Sequence, residues 1–458
     1  MTVAFLLAAA AAARAWALSA TTTTTTRRTT VDAEWTTKGS WLPVCSASGF
    51  GPLDGPQRVE VCGERYAVWE HEGRWSVLVD TCPHKLAPLS QGRVTEDGCV
   101  ECPYHGWQFD ADGKTAKVPQ GNTDRAKSAR SLPTMRTNDL VWAFFPVLDG
   151  SIDDTPDKLY PRLAEETKPY FSRTLPYSFD MLIENFNDPA HIPFAHHGLQ
   201  GVRSDGGPIP MKLLACNETH VESTFEDVVR GKPRKGITSF RAPCRYHFRC
   251  LEDDDTYDVK LEMYCVPVKP GASRVFLVSP LSDSVPTWLA HAATNRFLNT
   301  DVWLHDAELR LRAKEGDERG AYNAVTSSDL GGSAWRTFWR DSGMASSGGC
   351  FGPAKYSELK PITSRKAMID PWKYHSSQCA HCRKALKRAI TLERAALLGG
   401  GLALALAEPP MLRLGGALVA AGILAATRKV KSIIRGDLDA SLLPGKSVAH
   451  AGGGGGAS

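Results

Sequence analysis

Two short segments of the chain each pair a cysteine with a histidine. The first offers Cys82 and His84, and the second offers Cys102 and His105. Two thiolates and two imidazoles suit an iron–sulfur cluster that has two cysteines on one iron and two histidines on the other. A structural zinc site uses the same residue types. Both pairs lie in loops after strand-like runs, and a proline beside each cysteine stiffens the loop. This setting favours the iron–sulfur cluster.

A second set of metal-binding side chains lies further along the chain. Asp188, His191 and His196 follow the pattern Asp-x-x-His-x-x-x-x-His. Two histidines and a carboxylate bind Fe(II) on one face and leave its other positions open for dioxygen and substrate. We expect His191 and His196 to be ligands. His197 is the alternative, because the sequence does not exclude a slip of one residue.

The carboxylate ligand is predicted downstream of these histidines. The segment Thr294–Lys314 has helical spacing, and Asp301 falls on or beside its apolar face. An unpaired charge is costly there, and a metal ion would remove the cost. We therefore predict Asp301 as the third ligand. His305 and Glu308 share its face and are alternative ligands, and a solvated helix acid is the non-functional interpretation.

The two cysteine–histidine segments, CPHKLAPLSQGR and CPYHGWQFD, resemble the ligand loops of Rieske [2Fe–2S] domains. The resemblance implies that Cys82 and Cys102 hold the inner iron and that His84 and His105 hold the outer one. The aspartate–histidine motif resembles that of ring-hydroxylating Rieske oxygenases, which contain a mononuclear non-haem Fe(II). In those enzymes the residue equivalent to Asp188 links the iron-bound histidine to the Rieske histidine of the next subunit. This implies electron transfer through Asp188 and a homotrimer.

The wider sequence resembles one plastid group of these enzymes, the pheophorbide a oxygenase and chlorophyllide a oxygenase group. The resemblance covers roughly residues 35–430 and is carried by WLPV at 41–44, ENFNDPAHIPFAHHG at 184–198, the Cys379-Ala380-His381-Cys382 segment and an apolar C-terminal hairpin. Members are membrane-attached, take electrons from ferredoxin and use O2 to oxidise chlorophyll-type tetrapyrroles. One relative is instead a Rieske protein of the inner-envelope import translocon.

The resemblance implies a Rieske-type monooxygenase that acts on pheophorbide a, chlorophyllide a or protochlorophyllide. The alternative is a redox-sensing Rieske component of a plastid protein-import complex. A Rieske oxygenase of a sterol or another non-tetrapyrrole is a third hypothesis. Because the sequence carries no Rossmann or flavin fingerprint, we expect the reductant to come from a partner protein. The net charge of +4 gives no support to a nucleic-acid partner.

These sites need elements to hold them. Residues 215–282 alternate like strands, and helical patterns flank them at 181–197 and 294–314. The expected fold class is α+β, with an all-β Rieske [2Fe–2S] domain, an α+β helix-grip (START-like) catalytic domain and a C-terminal membrane helical hairpin. The expected boundaries are 1–34 for a signal or transit presequence, 35–150 for the Rieske domain, 155–370 for the catalytic domain, 371–392 for a linker, 393–430 for the transmembrane hairpin and 431–458 for a low-complexity tail.

Both ends of the chain indicate a plastid membrane, envelope or thylakoid. An apolar start followed by the basic, hydroxylated run TTTTTTRRTT resembles a bipartite plastid presequence, and a single plastid or mitochondrial presequence is the alternative. Two runs near the C-terminus are apolar: Ala395–Ala407 and, except for Arg413, Met411–Thr427. Basic residues precede the first run and follow the second, which places both ends of the hairpin on one side of the membrane. We expect this side to be stromal. A soluble helical pair is the alternative.

Cys379 and Cys382 lie between the catalytic domain and the hairpin. Basic neighbours such as Lys373 and Arg383 favour the thiolate, so we expect a reversible disulfide under thioredoxin control. A zinc site that uses His375 and His381 is the alternative, and an idle pair is the third interpretation.

Overall fold

A computed structural model gives the fold of this chain. It describes residues 39–50, 55–137, 139–146, 170–252, 256–278, 285–314, 321–342, 344, 359–406 and 408–436. The predicted presequence (1–34) and the tail beyond residue 436 lie outside the described residues. The predicted fold class is confirmed, with an all-β domain first, an α+β domain second and two apolar helices last.

In the described part of the N-terminal domain there are ten short strands. Strand β1 (Gly39–Ser46) pairs with the last strand, so the two ends of the domain meet in one sheet with the order β1-β10-β9. The other strands form the sheets β2-β3-β4 and β5-β6-β7-β8. Their bounds are Gln57–Val61 (β2), Glu64–His71 (β3), Arg74–Val79 (β4), Arg93–Val94 (β5), Val100–Glu101 (β6), Gln108–Phe109 (β7), Thr115–Lys117 (β8), Thr134–Thr137 (β9) and Leu140–Pro146 (β10). A one-turn helix, α1 (Ala47–Phe50), follows β1.

The second domain is built on one antiparallel sheet of seven strands. Its order is β11-β17-β16-β15-β14-β13-β12, so the first strand in the sequence pairs with the last. The bounds are Tyr170–Leu175 (β11), Met211–Cys216 (β12), His220–Val229 (β13), Lys232–Arg241 (β14), Arg245–Leu251 (β15), Tyr257–Lys269 (β16) and Ala272–Val278 (β17). Alternate residues of β13, Val221, Ser223 and Phe225, are buried, which shows that one face of the sheet packs inward.

Helices lie against this sheet, and the turns and ends next to them carry the predicted iron ligands. The helices are α2 (Phe179–Phe186), α3 (Ile192–Ala195), α4 (Thr287–Leu298), α5 (Leu304–Arg312), α6 (Leu330–Asp341) and α7 (Arg365–Met368). Neither predicted helix is continuous. The helix expected over 181–197 ends at Phe186, and a 3-10 turn over Pro189–His191 precedes α3, because proline cannot donate the hydrogen bond that a continuing helix needs.

The helix expected over 294–314 is also interrupted. A 3-10 turn, Asn299–Asp301, separates α4 from α5. Side chains satisfy backbone groups at this break, since the Thr300 hydroxyl donates to the carbonyl of Phe297 at 2.6 Å and Arg173 donates to the Asn295 carbonyl at 2.6 Å. Asp301 lies in this break, and its side chain is buried.

The last described elements are two long antiparallel helices, α8 (Ala380–Leu406) and α9 (Pro410–Arg435). Both are long and apolar enough to cross a membrane, and only 11% of the apolar window of each is buried. The segment 371–392, which we expected to be a linker, is helical, with a π-helical turn over Trp372–Ser376 and the first residues of α8. The helical pair is therefore joined to the second domain by ordered structure.

Candidate metal centres

The two cysteine–histidine loops fold in the same way. The amide of Cys82 donates to the carbonyl of Ala87, and the amide of Cys102 donates to the carbonyl of Trp107, both at 2.8 Å. In each loop the residue four positions after the cysteine donates back to the cysteine carbonyl. These residues, Leu86 and Gly106, have positive φ angles of 61° and 70°. The matching turns place the two loops as a pair around one site.

The side chains of these loops separate into an inner and an outer pair. Cys82 and Cys102 are buried, and burial together with Cys102 raises the pKa of Cys82 to about 11. His84 is exposed and its ring lies 4.6 Å from that of His105, centroid to centroid. Two buried thiols need a cation before they can be thiolates, and two imidazole edges reach the surface. The four residues therefore fit a [2Fe–2S] cluster with one iron inside and one outside.

Trp107 shields this site on one side. Its ring stacks on the ring of His84 with a centroid distance of 4.7 Å and an interplanar angle of 13°. Desolvation and the neighbouring charges of His84 and Lys85 lower the pKa of His105. A lowered pKa keeps the ring neutral, which is the form that binds a metal.

Three predicted ligands of the second site come together. One nitrogen of His191, one nitrogen of His196 and one carboxylate oxygen of Asp301 all lie within 4.8 Å of one another. The two Nε2 atoms are 3.1 Å apart, and Nε2 of His196 is 3.5 Å from Oδ2 of Asp301. The side chains come from the turn before α3, from its C-terminal end and from the break between α4 and α5.

Hydrogen bonds on the far side of each ring turn Nε2 toward this site. Nδ1 of His191 donates to the backbone carbonyl of Asp188. Nδ1 of His196 is 2.7 Å from the hydroxyl of Thr300, whose own hydrogen goes to the carbonyl of Phe297. The hydroxyl must therefore accept from His196. Both Nε2 atoms keep free lone pairs, as metal-binding imidazoles require.

Asp301 shows that the site fits a cation. The residue is 2% exposed, and its Oδ1 has no hydrogen-bond partner among the described residues. Oδ2 has only a long contact of 3.5 Å from the amide of Asn185. Burial raises the pKa of Asp301 to about 6, and burial with the neighbouring His191 lowers the pKa of His196 well below its usual value. An ion bound between them would remove both penalties.

The other candidates for this site have different contacts. The carboxylate of Asp188 accepts the amide of Ala190 at 2.8 Å and so caps the turn that carries His191. Nδ1 of His197 accepts the amide of Arg203 at 3.1 Å, outside the group. His305 lies between Pro176 and Ile362, and Glu308 accepts the amide of Ser178 at 2.9 Å.

The structure also brings Cys379 and Cys382 together with two histidines, His375 and His291. His381 is not in this group, and its ring centroid is 5.9 Å from that of His291. Sequence reasoning missed His291 because it lies 84 residues before His375. The only signal was a histidine on the inward face of an otherwise ordinary helix, α4.

Comparison with known protein families gives one match in the all-β domain and one in the α+β domain. Residues 40–135 match the family described as Rieske [2Fe-2S] domain, and residues 240–318 match the family described as pheophorbide a oxygenase. The chain is 27% identical to a chloroplastic pheophorbide a oxygenase of Oryza sativa subsp. japonica, over 80% of this chain and 76% of that protein.

Two further relatives have different names. One is the chloroplastic protochlorophyllide-dependent translocon component 52 of Arabidopsis thaliana, 28% identical over 77% of this chain and 74% of that protein. Another is the chloroplastic flavonoid 8-hydroxylase 2 of Ocimum basilicum, 29% identical over 77% and 74%. Among solved structures, dicamba monooxygenase bound to dicamba superposes with a TM-score of 0.52 at 18% identity, over 68% of this chain and 98% of that chain, which shows a shared fold.

Proposed function

We propose a function from the premise that this chain is a Rieske non-haem iron oxygenase with a Rieske [2Fe–2S] cluster and a mononuclear iron. We propose that it is a plastid-membrane monooxygenase that oxidises a chlorophyll-derived tetrapyrrole. The main observation in support of this proposal is that ligand atoms of His191, His196 and Asp301 lie close together in the domain that follows the Rieske domain in the sequence. The match to the pheophorbide a oxygenase family supports the substrate class.

The proposed iron ligands are His191, His196 and Asp301. Iron held on one face by these groups would have open positions for dioxygen and substrate. The protein's part is to fix the tautomer of both imidazoles and to aim their Nε2 atoms at the site, through the carbonyl of Asp188 and the hydroxyl of Thr300. The stacked ring of Phe297, 4.0 Å from that of His196, limits the rotation of this ligand.

The proposed cluster ligands are Cys82, His84, Cys102 and His105. The imidazole edges of the two histidines face outward, where an external donor or a second subunit can reach them. We propose ferredoxin as the donor. We further propose that Asp188, which lies next to His191 and is partly exposed, bridges His191 and the Rieske histidine of a neighbouring subunit in a homotrimer, so that the electron passes between the two metal centres through this contact. This arrangement makes Asp188 a positioning and transfer residue.

The apolar helices α8 and α9 and the chloroplastic relatives support attachment to a plastid membrane. The catalytic domain is proposed to face the stroma, where ferredoxin is available.

A direct assay tests the enzyme proposal. The full chain in detergent is loaded with iron under anaerobic conditions, reduced by ferredoxin and its reductase, and exposed to oxygen with pheophorbide a, chlorophyllide a or protochlorophyllide. We expect oxygen-dependent product from one of these pigments. His191→Ala should abolish the product and leave the Rieske absorbance unchanged. His197→Ala is the matched control and should retain the product.

Two other results would contradict the proposal. Reduction of the cluster without product from any pigment would favour the alternative, a redox-sensing component of a protein-import complex, which the similarity to the Arabidopsis thaliana translocon component supports. A flavonoid is added to the assay because of the similarity to the Ocimum basilicum hydroxylase. Product from this flavonoid but from none of the tetrapyrroles would keep the oxygenase and overturn the substrate class.

A further inference from the structure

Four metal-binding side chains meet where the second domain joins the two apolar helices. His291 comes from α4 and His375 from the π-helical turn, Cys379 directly precedes α8, and Cys382 lies in its first turn. Their exposures are 3%, 4%, 6% and 2%, so solvent does not satisfy them. Nothing in the oxygenase chemistry proposed above uses these residues.

The distances between their ligand atoms are those of a tetrahedral metal site. Nδ1 of His291 lies 3.2 Å from Nε2 of His375, 3.4 Å from Sγ of Cys379 and 3.7 Å from Sγ of Cys382. Sγ of Cys382 lies 3.4 Å from Nε2 of His375. A tetrahedral Zn²⁺ with Zn–N of about 2.0–2.1 Å and Zn–S of about 2.3 Å has N···N edges of about 3.3 Å and N···S edges of about 3.6 Å.

Hydrogen bonds alone do not account for this convergence. Nδ1 of His375 lies 2.6 Å from the backbone carbonyl of Ser172 on β11 and donates to it, which leaves Nε2 as an acceptor. A hydrogen on Nδ1 of His291 can point at one atom only, although three candidate partners surround it at similar distances. A cation at the common centre would contact all four atoms at once.

The surroundings fit a closed site of zero net charge. Two thiolates balance a divalent cation, and neutral imidazoles add no charge, so such a site can be buried among apolar groups. Phe171 lies against both rings, with centroid distances of 5.2 Å to His291 and 4.5 Å to His375. Leu386 and Ile434 pack beside the cysteines. Neither cysteine is in a disulfide in the structure.

We propose that His291, His375, Cys379 and Cys382 bind a structural zinc ion that fastens the apolar helical pair to the catalytic domain. Four protein ligands leave no open position, which is the feature of structural rather than catalytic zinc. The Ser172 carbonyl orients His375 as a second-layer partner. The site joins β11, α4, the π-helical turn and α8. A disulfide between the same cysteines would remove both thiolates, so the metal and a redox switch exclude each other in one molecule.

Metal analysis of the purified full chain tests this site independently of turnover. The chain is purified in detergent under argon without chelators, incubated with zinc, and freed of loosely bound ions by gel filtration. We expect one zinc per chain in addition to iron. Cys379→Ser and His291→Ala should lose the zinc and keep the iron and the Rieske absorbance. His381→Ala, which alters the neighbouring histidine outside the group, should keep the zinc.

Two further measurements keep the result interpretable if a variant folds poorly. His291→Cys retains a ligand and should retain zinc. Cobalt in place of zinc should give the intense thiolate absorption of a tetrahedral site, and Cys379→Ser should weaken it. The proposal is overturned if the wild-type chain binds no zinc and contains a Cys379–Cys382 disulfide, if a further iron occupies the site instead, or if His291→Ala binds zinc as well as the wild type does.

Discussion

The tautomer and orientation of His196 depend on one hydroxyl group. Thr300 accepts from Nδ1 of His196 and donates to the carbonyl of Phe297, so its single hydrogen is already committed. This relay fixes the tautomer of the ring from the side away from the metal. It also explains why the break between α4 and α5 matters, because the break supplies both Thr300 and Asp301.

We predict that Thr300→Val weakens iron binding about 10–100-fold, the usual effect of removing the partner of a metal-bound histidine. Valine keeps the shape of threonine, so the fold and the Rieske absorbance should be unchanged. The affinity for iron is measured by isothermal titration calorimetry of the apo chain. Thr300→Ser keeps the hydroxyl and should restore the affinity. Equal affinities in the valine and wild-type chains would show that the hydroxyl does not hold the ring.

At the residue scale, the sequence could give ligand types but not all ligand identities. The motif Asp-x-x-His-x-x-x-x-His and the apolar stripe around Asp301 predicted His191, His196 and Asp301, which the structure brings together. Periodicity left Glu308 open as an alternative to Asp301, because it does not show the turn at Asn299–Asp301. His291 could not be found at all, because its partners lie far along the chain and no motif connects them.

At the scale of elements, a buried charged group holds three helices together. Asp180 on α2 accepts from Arg312 of α5 at 2.6 Å and from Arg336 of α6 at 2.7 Å. Asp180 is 1% exposed. Burial alone would raise its pKa, but the two guanidinium groups hold the pKa at about 2. The carboxylate charge of Asp180 is therefore paired. These ion pairs fix α2, which directly precedes the segment that carries His191 and His196.

We predict that Asp180→Ala lowers the free energy of unfolding by about 1.5–3 kcal/mol, because two buried arginines lose the carboxylate that they share, while Arg312 keeps Glu308 and Arg336 keeps Glu184. Urea unfolding followed by tryptophan fluorescence measures the change. Asp112→Ala is the matched control. It breaks an exposed ion pair with Arg74 and should cost less than about 1 kcal/mol. A similar loss in both variants would contradict a special role for the buried group.

The same carboxylate predicts a dependence of stability on pH. Its pKa is about 2 in the folded chain, below the ordinary value of about 3.9 for an unfolded aspartate. The folded state therefore binds fewer protons, and the stabilisation is complete above about pH 4 and lost as the pH falls toward 2. Unfolding midpoints measured between pH 5 and 2 should fall more steeply in the wild type than in Asp180→Ala. Parallel curves would contradict the assignment.

The two apolar helices approach each other through small residues. A Cβ atom built on Gly400 of α8 would lie 2.7 Å from Cβ of Ala420, and one built on Gly416 of α9 would lie 2.6 Å from Cβ of Ala403. Leucines such as Leu398 and Leu418 point outward and are exposed. Close packing inside and apolar side chains outside are the pattern of a helical pair surrounded by lipid.

We predict that Gly400→Leu separates these helices and destabilises the pair by about 1–3 kcal/mol, the usual cost of overpacking. The stability of the helical pair is measured by titrating the reconstituted chain with sodium dodecyl sulfate and monitoring its helix content by circular dichroism. Gly401→Leu is the matched control, since nothing lies within 4 Å of a Cβ at that position. If Gly401→Leu is destabilised as strongly, the close contact at Gly400 is not what holds the helices.

At the scale of elements, the sequence predicted which segments are helical better than it predicted where each helix begins and ends. The apolar runs indicated two helices correctly, but α8 begins at Ala380, well before the apolar run, because Cys382 and Leu386 pack against α9 and the second domain. The linker expected over 371–392 is helical for that reason. Contacts of this kind depend on residues distant in sequence, so local composition did not reveal them.

At the scale of the whole molecule, α4 connects the region beside the two apolar helices, α8 and α9, to the iron site. It carries His291 in the four-residue cluster beside α8 and leads directly to Thr300 and Asp301. Along a helix, ten residues span about 15 Å, so the two sites are close neighbours. Arg173 of β11 also holds the end of α4, through the Asn295 carbonyl, beside the strand residue that orients His375. The position of the two apolar helices is thereby tied to the catalytic domain.

The charges around the helical pair predict how it lies in a bilayer. Basic residues cluster before its first apolar run and after its second, whereas the turn between the helices contains Glu408 and two prolines. Basic residues stay on the side from which a segment inserts, so both ends of the pair should remain on one side. The two ends are also joined directly, since Lys431 contacts Glu393 at 2.6 Å.

We predict that the catalytic domain and the C-terminal tail lie on the same side of the membrane. The chain, with an epitope tag after Ser458, is inserted from outside into sealed vesicles and treated with protease. Both the catalytic domain and the tag should be digested, and a fragment that contains the two helices should be protected. Vesicles opened with detergent are the control, in which this fragment should lose its protection. A tag that survives while the catalytic domain is digested would mean that the chain crosses the membrane once, because an odd number of crossings separates its two ends.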